Sequence, residues 1–391
     1  MQRRTFLTTS ALAMMASGAH AADVAAATML PDGPLATRGG QIIDSGGRPV
    51  RINAVGWNQL WSDIPRSVAG MRAAGFNAVR ISWVNASMNQ DFLRIDRVLA
   101  AAASHGVKVI LDNHTNEVGR GPQDNWGAQQ KNGLWYSKGG ASDGTDGGGN
   151  VGTVTDEKFL QDWVIMARRY AGNNTMIGYD LRNEPQAYPG MCTWGDNSNR
   201  DIRAMYQRVG NAILDIDPNK LIICEGPQNY SGSYANMGPA PWGDLSLVRT
   251  KPVVLKLPNK VVYSVHDYPF VISGFRPDSG PAKIRLMNRT WGYLVSEKIA
   301  PVWIGEMGAN MTDAGEQAWA QTMVDYVNGA TGSLGGPTFS GVDQGVGTCW
   351  WVWGHLPGQQ PDGTLNADGS LRARQRAVWS QLRLTQSSSS S

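Results

Sequence analysis

Eight short runs of apolar residues recur along this chain, at 52–57, 78–83, 107–112, 177–182, 221–225, 261–266, 302–306 and 348–353. Each is nearly unbroken rather than alternating, which is the pattern of a strand buried on both faces. Between them lie stretches with helical spacing of apolar positions, at 65–74, 92–105, 157–171, 202–216, 292–298 and 316–327. Gly75, Gly106 and Gly172 stand just past the first three, where glycine closes a helix. Strands of this kind alternating with amphipathic helices predict a parallel sheet covered by helices. Eight such units predict an α/β fold of the (β/α)8 TIM-barrel type. An open, doubly wound sheet is the alternative.

Ahead of the first run, residues 38–52 predict a short β-hairpin: Gln41-Ile42-Ile43, a turn at Ser45-Gly46-Gly47, then Pro49-Val50-Arg51-Ile52. Residues 115–156, after the third run, predict a long loop insertion. Its Asp/Gly stretch at 139–150 lacks the spacing of a calcium-binding loop and reads as a flexible loop. The polar residues add to the barrel reading. Trp57-Asn58, Arg80 with Trp83, Asn113-His114, Asn183-Glu184, Glu225, His266 with Tyr268, Glu306 and Trp350-Trp351 cluster at the C-terminal ends of the eight runs. In a barrel those ends open on one face, the face that carries active sites.

Composition narrows the classes. With 391 residues, 41% hydrophobic and 17% charged, the chain supports one large core, and its net charge of +3 with no basic stripe speaks against nucleic acid. The 15 tryptophans suit core packing as well as flat platforms for a ligand, and about a third are assigned to a cleft. Residues 1–21 have a charged start at Arg3-Arg4, a short apolar region and Ala19-His20-Ala21, an export signal of twin-arginine type. A periplasmic or secreted bacterial protein is expected, with no membrane span. Residues 22–37 read as a flexible leader, 38–384 as one catalytic barrel, and 385–391 as a Ser-rich disordered tail. Cys192, Cys224 and Cys349 match no metal motif, and the odd count leaves at least one free thiol.

The candidate chemistry rests on two glutamates, Glu184 in Asn183-Glu184-Pro185 and Glu306 in Trp303-Ile304-Gly305-Glu306. Each ends an apolar run, where a carboxylate is costly to bury without partners. Strands four and seven face each other across a barrel, so the two carboxylates would flank one bond, as glycoside hydrolysis requires. The structural alternative for Glu184 is a plain helix-start carboxylate. Arg80, inside an apolar run, is placed to keep Glu306 ionised. Tyr268 could donate to Glu306, and His266 could hold Glu184 or a sugar hydroxyl, with His114 in a similar role. Asn183 offers a donor to a sugar 2-hydroxyl, and Trp351 a floor under the sugar at the cleavage point, while Trp350 points the other way. Trp126, Trp135 and Tyr136 of the insertion are candidate sugar contacts.

The ordered set Asn183-Glu184-Pro185, His266-Asp267-Tyr268 and Trp303-Ile304-Gly305-Glu306 resembles glycoside hydrolase family 5, nearest to bacterial secreted endo-β-1,4-glucanases. The resemblance runs from Gly40-Gln41-Ile42-Ile43-Asp44 to Trp350-Trp351-Val352-Trp353. It implies a retaining enzyme with Glu184 as acid/base and Glu306 as nucleophile, with Arg80, His114, Asn183, His266, Tyr268 and Trp351 at the family's other site positions. It implies a β-glucan substrate, no cofactor, no metal, and a monomer. β-Mannanase or xyloglucanase activity on the same catalytic set is the alternative, and a non-catalytic glycan-binding barrel is the alternative of another class. Several relatives carry a disulfide just after Asn-Glu-Pro, whereas Cys192 has no near neighbour to pair with.

Overall fold

A computed structural model describes residues 29–58, 63–118, 133–140, 143–146, 148–229 and 240–382. Eight parallel strands close into a barrel: β4 (Asn53–Trp57), β5 (Ala78–Val84), β6 (Lys108–Thr115), β7 (Met176–Asp180), β8 (Leu221–Glu225), β9 (Val261–Asp267), β10 (Val302–Met307) and β11 (Gly347–Trp350). Strand order follows chain order, and β11 pairs with β4 to close the ring. All eight predicted runs are strands, so the fold is the (β/α)8 barrel and not the open sheet.

Alternation along each strand explains why the runs are continuously apolar. Val55, Val79, Ile81, Val109, Leu111, Tyr179, Ile222, Val265 and Ile304 belong to the large core shared with the surrounding helices. Their neighbours Ala54, Ala78, Ile110, Leu221, Ile223, Val262, Trp303 and Cys349 form a second cluster that fills the barrel interior. Both sets are buried, one outward and one inward. Higher in the barrel the inward positions turn polar, with Arg80, Asp112, Asp180, Glu225 and His266 all fully buried.

The N-terminal end is closed by a small antiparallel sheet, β1 (Ala36–Arg38), β2 (Gln41–Ile43) and β3 (Pro49–Val50). The expected hairpin is therefore three strands, and the leader ends earlier than 37. Leu30, Leu35 and Ile42 are buried against the interior cluster, where they plug the bottom of the barrel. Residues before 29, which carry the expected export signal, and the tail from 383 onward lie outside the described residues. Among the described residues no helix is long and apolar enough to cross a membrane.

Helices Ile64–Ala73, Met88–His105, Asp156–Tyr170, Ile202–Leu214 and Ala314–Val327 match predicted stretches within a few residues. Asp63, Thr155, Asp201 and Asp313 cap four of them through backbone N–H groups three residues on. The predicted helix at 292–298 belongs to a longer one that starts at Gly280 and passes through a π-turn at Asn288–Gly292. A last helix, Ala373–Gln381, was not legible because its apolar periodicity is weak; Val378 and Trp379 anchor it.

The insertion after β6 is tied down rather than loose where described. Buried Glu117 accepts from Ser137 Oγ at 2.7 Å and from the Val154 N–H at 2.7 Å. Asp146 closes the Asp/Gly stretch by accepting from Gly148 N at 2.8 Å and Asn150 N at 3.1 Å. Trp135, expected as a sugar contact, is instead buried, and its Nε1 donates to Asp156 at 2.5 Å. Tyr136 packs beside it, half-buried, and Trp126 lies outside the described residues. Twelve of the thirteen described tryptophans are buried, so the indole count reflects packing more than a cleft.

The helix Ala314–Val327 begins with a full capping box, and its Glu316 also accepts from Asn310 N at 2.9 Å and Thr312 Oγ1 at 2.9 Å. Asp313→Ala is expected to lower stability by about 1 kcal/mol. The measurement is urea unfolding: the midpoint should fall while the slope stays constant. An unmoved midpoint would mean the box contributes nothing.

Candidate active site

Arg80 organises the barrel mouth. From β5 its Nε donates to Asp180 at 2.9 Å, Nη1 to Glu306 at 2.7 Å, and Nη2 to Asp112 at 3.0 Å and Asn183 at 2.8 Å. One fully buried guanidinium thus ties β5 to three other strands, β6, β7 and β10. Burial disfavours its charge, but Asp112, Asp180 and Glu306 outweigh that and push its pKa above the ordinary value.

Glu306 is aimed inward by a break in register. Ile304 pairs with Val265 but Glu306 pairs with His266, so Gly305 is the extra residue of a β-bulge. A Cβ at Gly305 would stand 2.6 Å from Ser264 Oγ and 3.0 Å from His266 Nε2, so only glycine fits beside the histidine. The second carboxylate oxygen of Glu306 accepts from Tyr268 Oη at 2.7 Å. Burial and the neighbouring Glu306 and Glu184 charges hold the Tyr268 phenol well above its usual pKa, so it stays a donor.

Glu184 sits four residues past the end of β7 at Asp180, with φ of 42°. That left-handed backbone costs a non-glycine residue about 1–3 kcal/mol. It is held by the Glu184 N–H donating to Glu225 Oε2 at 2.8 Å and by Gln186 Nε2 donating to the Glu184 carbonyl at 2.9 Å. The Glu184 side chain meets Nδ1 of His266 at 3.0 Å. His266 also lies 3.6 Å from Glu306 and 3.4 Å from Glu225.

The protons in this layer are distributed by burial and charge. Burial lowers the affinity of His266 for a proton, but Glu225, Glu306 and Glu184 outweigh it and push the pKa up to about 9. Burial would raise Glu184, but the hydrogen bond and charge of His266, then His114 and Gln228, bring it below its ordinary value. Asp180 is pushed up to about 6 by burial despite Arg80, and Glu225 is pushed well above the carboxylate range by burial despite His266. Asp112 goes the other way, because Arg80, His114 and Ser82 outweigh its burial.

His114, at the end of β6, faces Asp112 through Nδ1 at 2.8 Å, and its ring stacks on Trp351 with centroids 5.7 Å apart and planes 7° from parallel. Trp351 follows β11 and is partly exposed, the one described tryptophan that is not buried. It lies over Gly56, where a Cβ would come within 2.3 Å of the indole. Trp350 points outward onto Trp319 and Trp379, as alternation predicts.

All eight predicted site residues therefore come together. Sequence reasoning did not single out Asp112 and Asp180, and it placed Glu225 on the face without a part in the site. The signal was available: each is an acid inside or ending an apolar run, where an unpaired charge is untenable. Glu184, His266 and Glu306 each offer a ligand atom within 4.8 Å of the others. This donor set is already engaged, since Glu306 accepts from Arg80 and Tyr268 and His266 is paired with Glu184. It suits an ion-paired acid cluster better than a metal.

The raised His266 pKa has a consequence for stability. A group whose pKa rises on folding contributes stability below its unfolded pKa of about 6.5 and loses it as pH climbs through the folded value. The stability of the wild type relative to His266→Gln should therefore shrink between about pH 6.5 and 9. Denaturant titrations of both proteins across that range check it; a constant difference would contradict the assignment.

A family-wide sequence profile described as cellulase (glycosyl hydrolase family 5) matches residues 43–356. An endoglucanase of Paenibacillus polymyxa is 31% identical over 333 residues, covering 74% of this chain and 76% of that protein. The major extracellular endoglucanase of Xanthomonas campestris pv. campestris is 25% identical over 386 residues, covering 87% of this chain and 70% of that one. Among solved structures, the hyperthermophilic endocellulase of Pyrococcus horikoshii superposes with a TM-score of 0.69 at 23% identity, covering 90% of this chain and 98% of that chain. That likeness speaks to the fold.

Proposed function

The chain belongs to glycosyl hydrolase family 5 and is a glycoside hydrolase; from that premise we propose that it is a retaining endo-β-1,4-glucanase with Glu306 as nucleophile and Glu184 as acid/base. The observation that carries this reading is the spacing of the two carboxylates, whose nearer oxygens lie within 4.8 Å of each other. Retaining enzymes set their carboxyls about 5 Å apart, and inverting ones need room for a water between them.

The two environments suit the two roles. Glu306 accepts from the Arg80 guanidinium on one oxygen and the Tyr268 phenol on the other, which hold its carboxylate in a fixed orientation. Its carboxylate attacks the anomeric carbon as the glycosidic bond breaks, forming a glycosyl ester. Glu184 shares its hydrogen bond with His266, so the pair holds a proton one short transfer from the leaving oxygen. A sugar ring settling over the pair excludes water, which penalises the charged His266–Glu184 form and favours the neutral imidazole with a protonated carboxyl. Once Glu306 is esterified, its charge no longer faces His266, and Glu184 takes the proton from the incoming water. Trp351, stacked on His114, supports the sugar whose anomeric carbon is attacked. We further propose export of the enzyme, and cleavage of β-1,4-glucan within the chain.

The test is reducing-sugar release from carboxymethylcellulose, mannan and xyloglucan in parallel. Release from carboxymethylcellulose that disappears in Glu306→Gln supports the proposal; release only from mannan or xyloglucan moves the substrate. Glycan binding without release from any would favour a binding barrel. Glu184→Gln should lower kcat/KM on glucan by about 10²–10⁴-fold, the usual worth of general acid help. It should leave kcat/KM near wild type on an aryl cellobioside whose leaving group needs no proton.

The pH profile follows from His266. The proton required on the Glu184–His266 pair is lost as pH rises through about 9. The alkaline limb of kcat/KM should therefore fall towards pH 9 rather than near the ordinary glutamate value, as initial rates across pH 5–10 would show.

A further inference from the structure

One carboxylate of the buried polar layer has no task in the double displacement. Glu225 ends β8 and is fully buried. Its Oε2 accepts the Glu184 N–H at 2.8 Å and lies 3.4 Å from Nε2 of His266. His266 in turn meets Glu184 through Nδ1 at 3.0 Å. Glu225 therefore reaches the proposed acid/base residue twice, once through the backbone and once through the imidazole. Tyr206, from the helix Ile202–Leu214, donates to the Glu225 carbonyl at 2.8 Å and fixes this strand end.

The backbone contact has a definite purpose. Glu184 occupies a left-handed conformation at φ 42°, which a residue with a side chain avoids unless its surroundings impose it. A buried N–H without an acceptor would release that conformation, and Glu225 supplies the acceptor. The imidazole contact has a second purpose. The ring stands between three acids, and the one at Nε2 decides whether the proton on the ring is held or passed to Glu184. The carbonyl of a glutamine could keep the N–H contact but could neither take up nor release a proton beside the ring.

We propose that Glu225 is a positioning residue for general acid–base catalysis: it locks the strained backbone of Glu184 and, as an ionisable partner at Nε2, orients His266 and sets where its proton lies, without touching substrate. The proposal rests on Glu184 being the acid/base. Its raised proton affinity, caused by burial against the His266 attraction, fits a group kept for its place in the network rather than for reaction.

The experiment compares wild type, Glu225→Gln, Glu225→Ala and Glu184→Gln on soluble β-glucan and on a 2,4-dinitrophenyl cellobioside, with and without azide. Glu225→Gln is expected to lower kcat on glucan by about 10–100-fold, at and below the lower end of the roughly 10²–10⁴-fold worth of general acid–base help because the acid/base residue itself remains, with little change in KM. On the activated glycoside kcat/KM should stay near wild type, while kcat falls and azide restores it, because azide needs no base. Glu225→Ala, which also removes the acceptor for the Glu184 N–H, should lose more on glucan. Equal losses of kcat/KM on both substrates would make Glu225 merely structural, and no loss on either would remove it from the network; each overturns the inference. Should Glu225→Gln not fold, Glu225→Ala carries the same comparison of the two substrates. Glu184→Gln separates the two levels. If it shows the leaving-group dependence and the Glu225 variants do not, only this inference fails; if it does not, the acid/base assignment falls and takes the inference with it.

Discussion

The barrel mouth depends on the clasp of Arg80. Five buried carboxylates, Asp112, Asp180, Glu184, Glu225 and Glu306, converge on a space from which water is largely excluded. Arg80 contacts three of them and His266 the other two, with Glu306 within reach of both cations. A buried ion pair barely repays its desolvation, yet losing one partner strands the others without compensation. The guanidinium is suited to this because its five donors are fixed in a plane and it does not give up its charge, which a lysine could not match. Since negative charge exceeds positive, some acids must hold their protons more tightly: Asp180 is pushed up to about 6, and Glu225 well above the carboxylate range.

That imbalance suits the double displacement proposed above. A double displacement needs one acid charged and its neighbour protonated at the same pH, although both are glutamates. Here the difference comes from partners. Glu306 is held by donors alone, whereas Glu184 is joined to a histidine that can give a proton or take it back. The architecture makes this possible by separating duties along each strand. Outward residues pack the helices, lower inward residues fill the barrel with Ile, Ala, Val and Trp303, and the charged groups of the site lie above them. The apolar floor beneath the cluster sustains the low dielectric that makes those proton affinities diverge.

Two local departures from regularity put the two proposed catalytic carboxylates in place. The bulge at Gly305 turns Glu306 into the barrel, and the left-handed backbone at Glu184 turns its carboxylate towards His266. Both carry conformational cost, and both are stabilised by contacts from a different strand. This is the usual distribution of strain, with the cost borne at the site and the compensation spread through the scaffold.

Much of this was legible in the chain. Continuous apolar runs, glycines after helical stretches and polar residues at run ends determined the barrel, its active face and the eight residues of the predicted site. These features are local: strand burial, helix closure and the start of a loop are each written within a few neighbouring residues. The tertiary structure alone decided the rest. It made Asp112, Asp180 and Glu225 part of the site, buried Trp135, drew residues 36–38 into a sheet, and set the proton distribution around His266. Those outcomes depend on which distant groups meet and how little water lies between them. Pairwise distance and burial are properties of the closed barrel, and no run of adjacent residues encodes them.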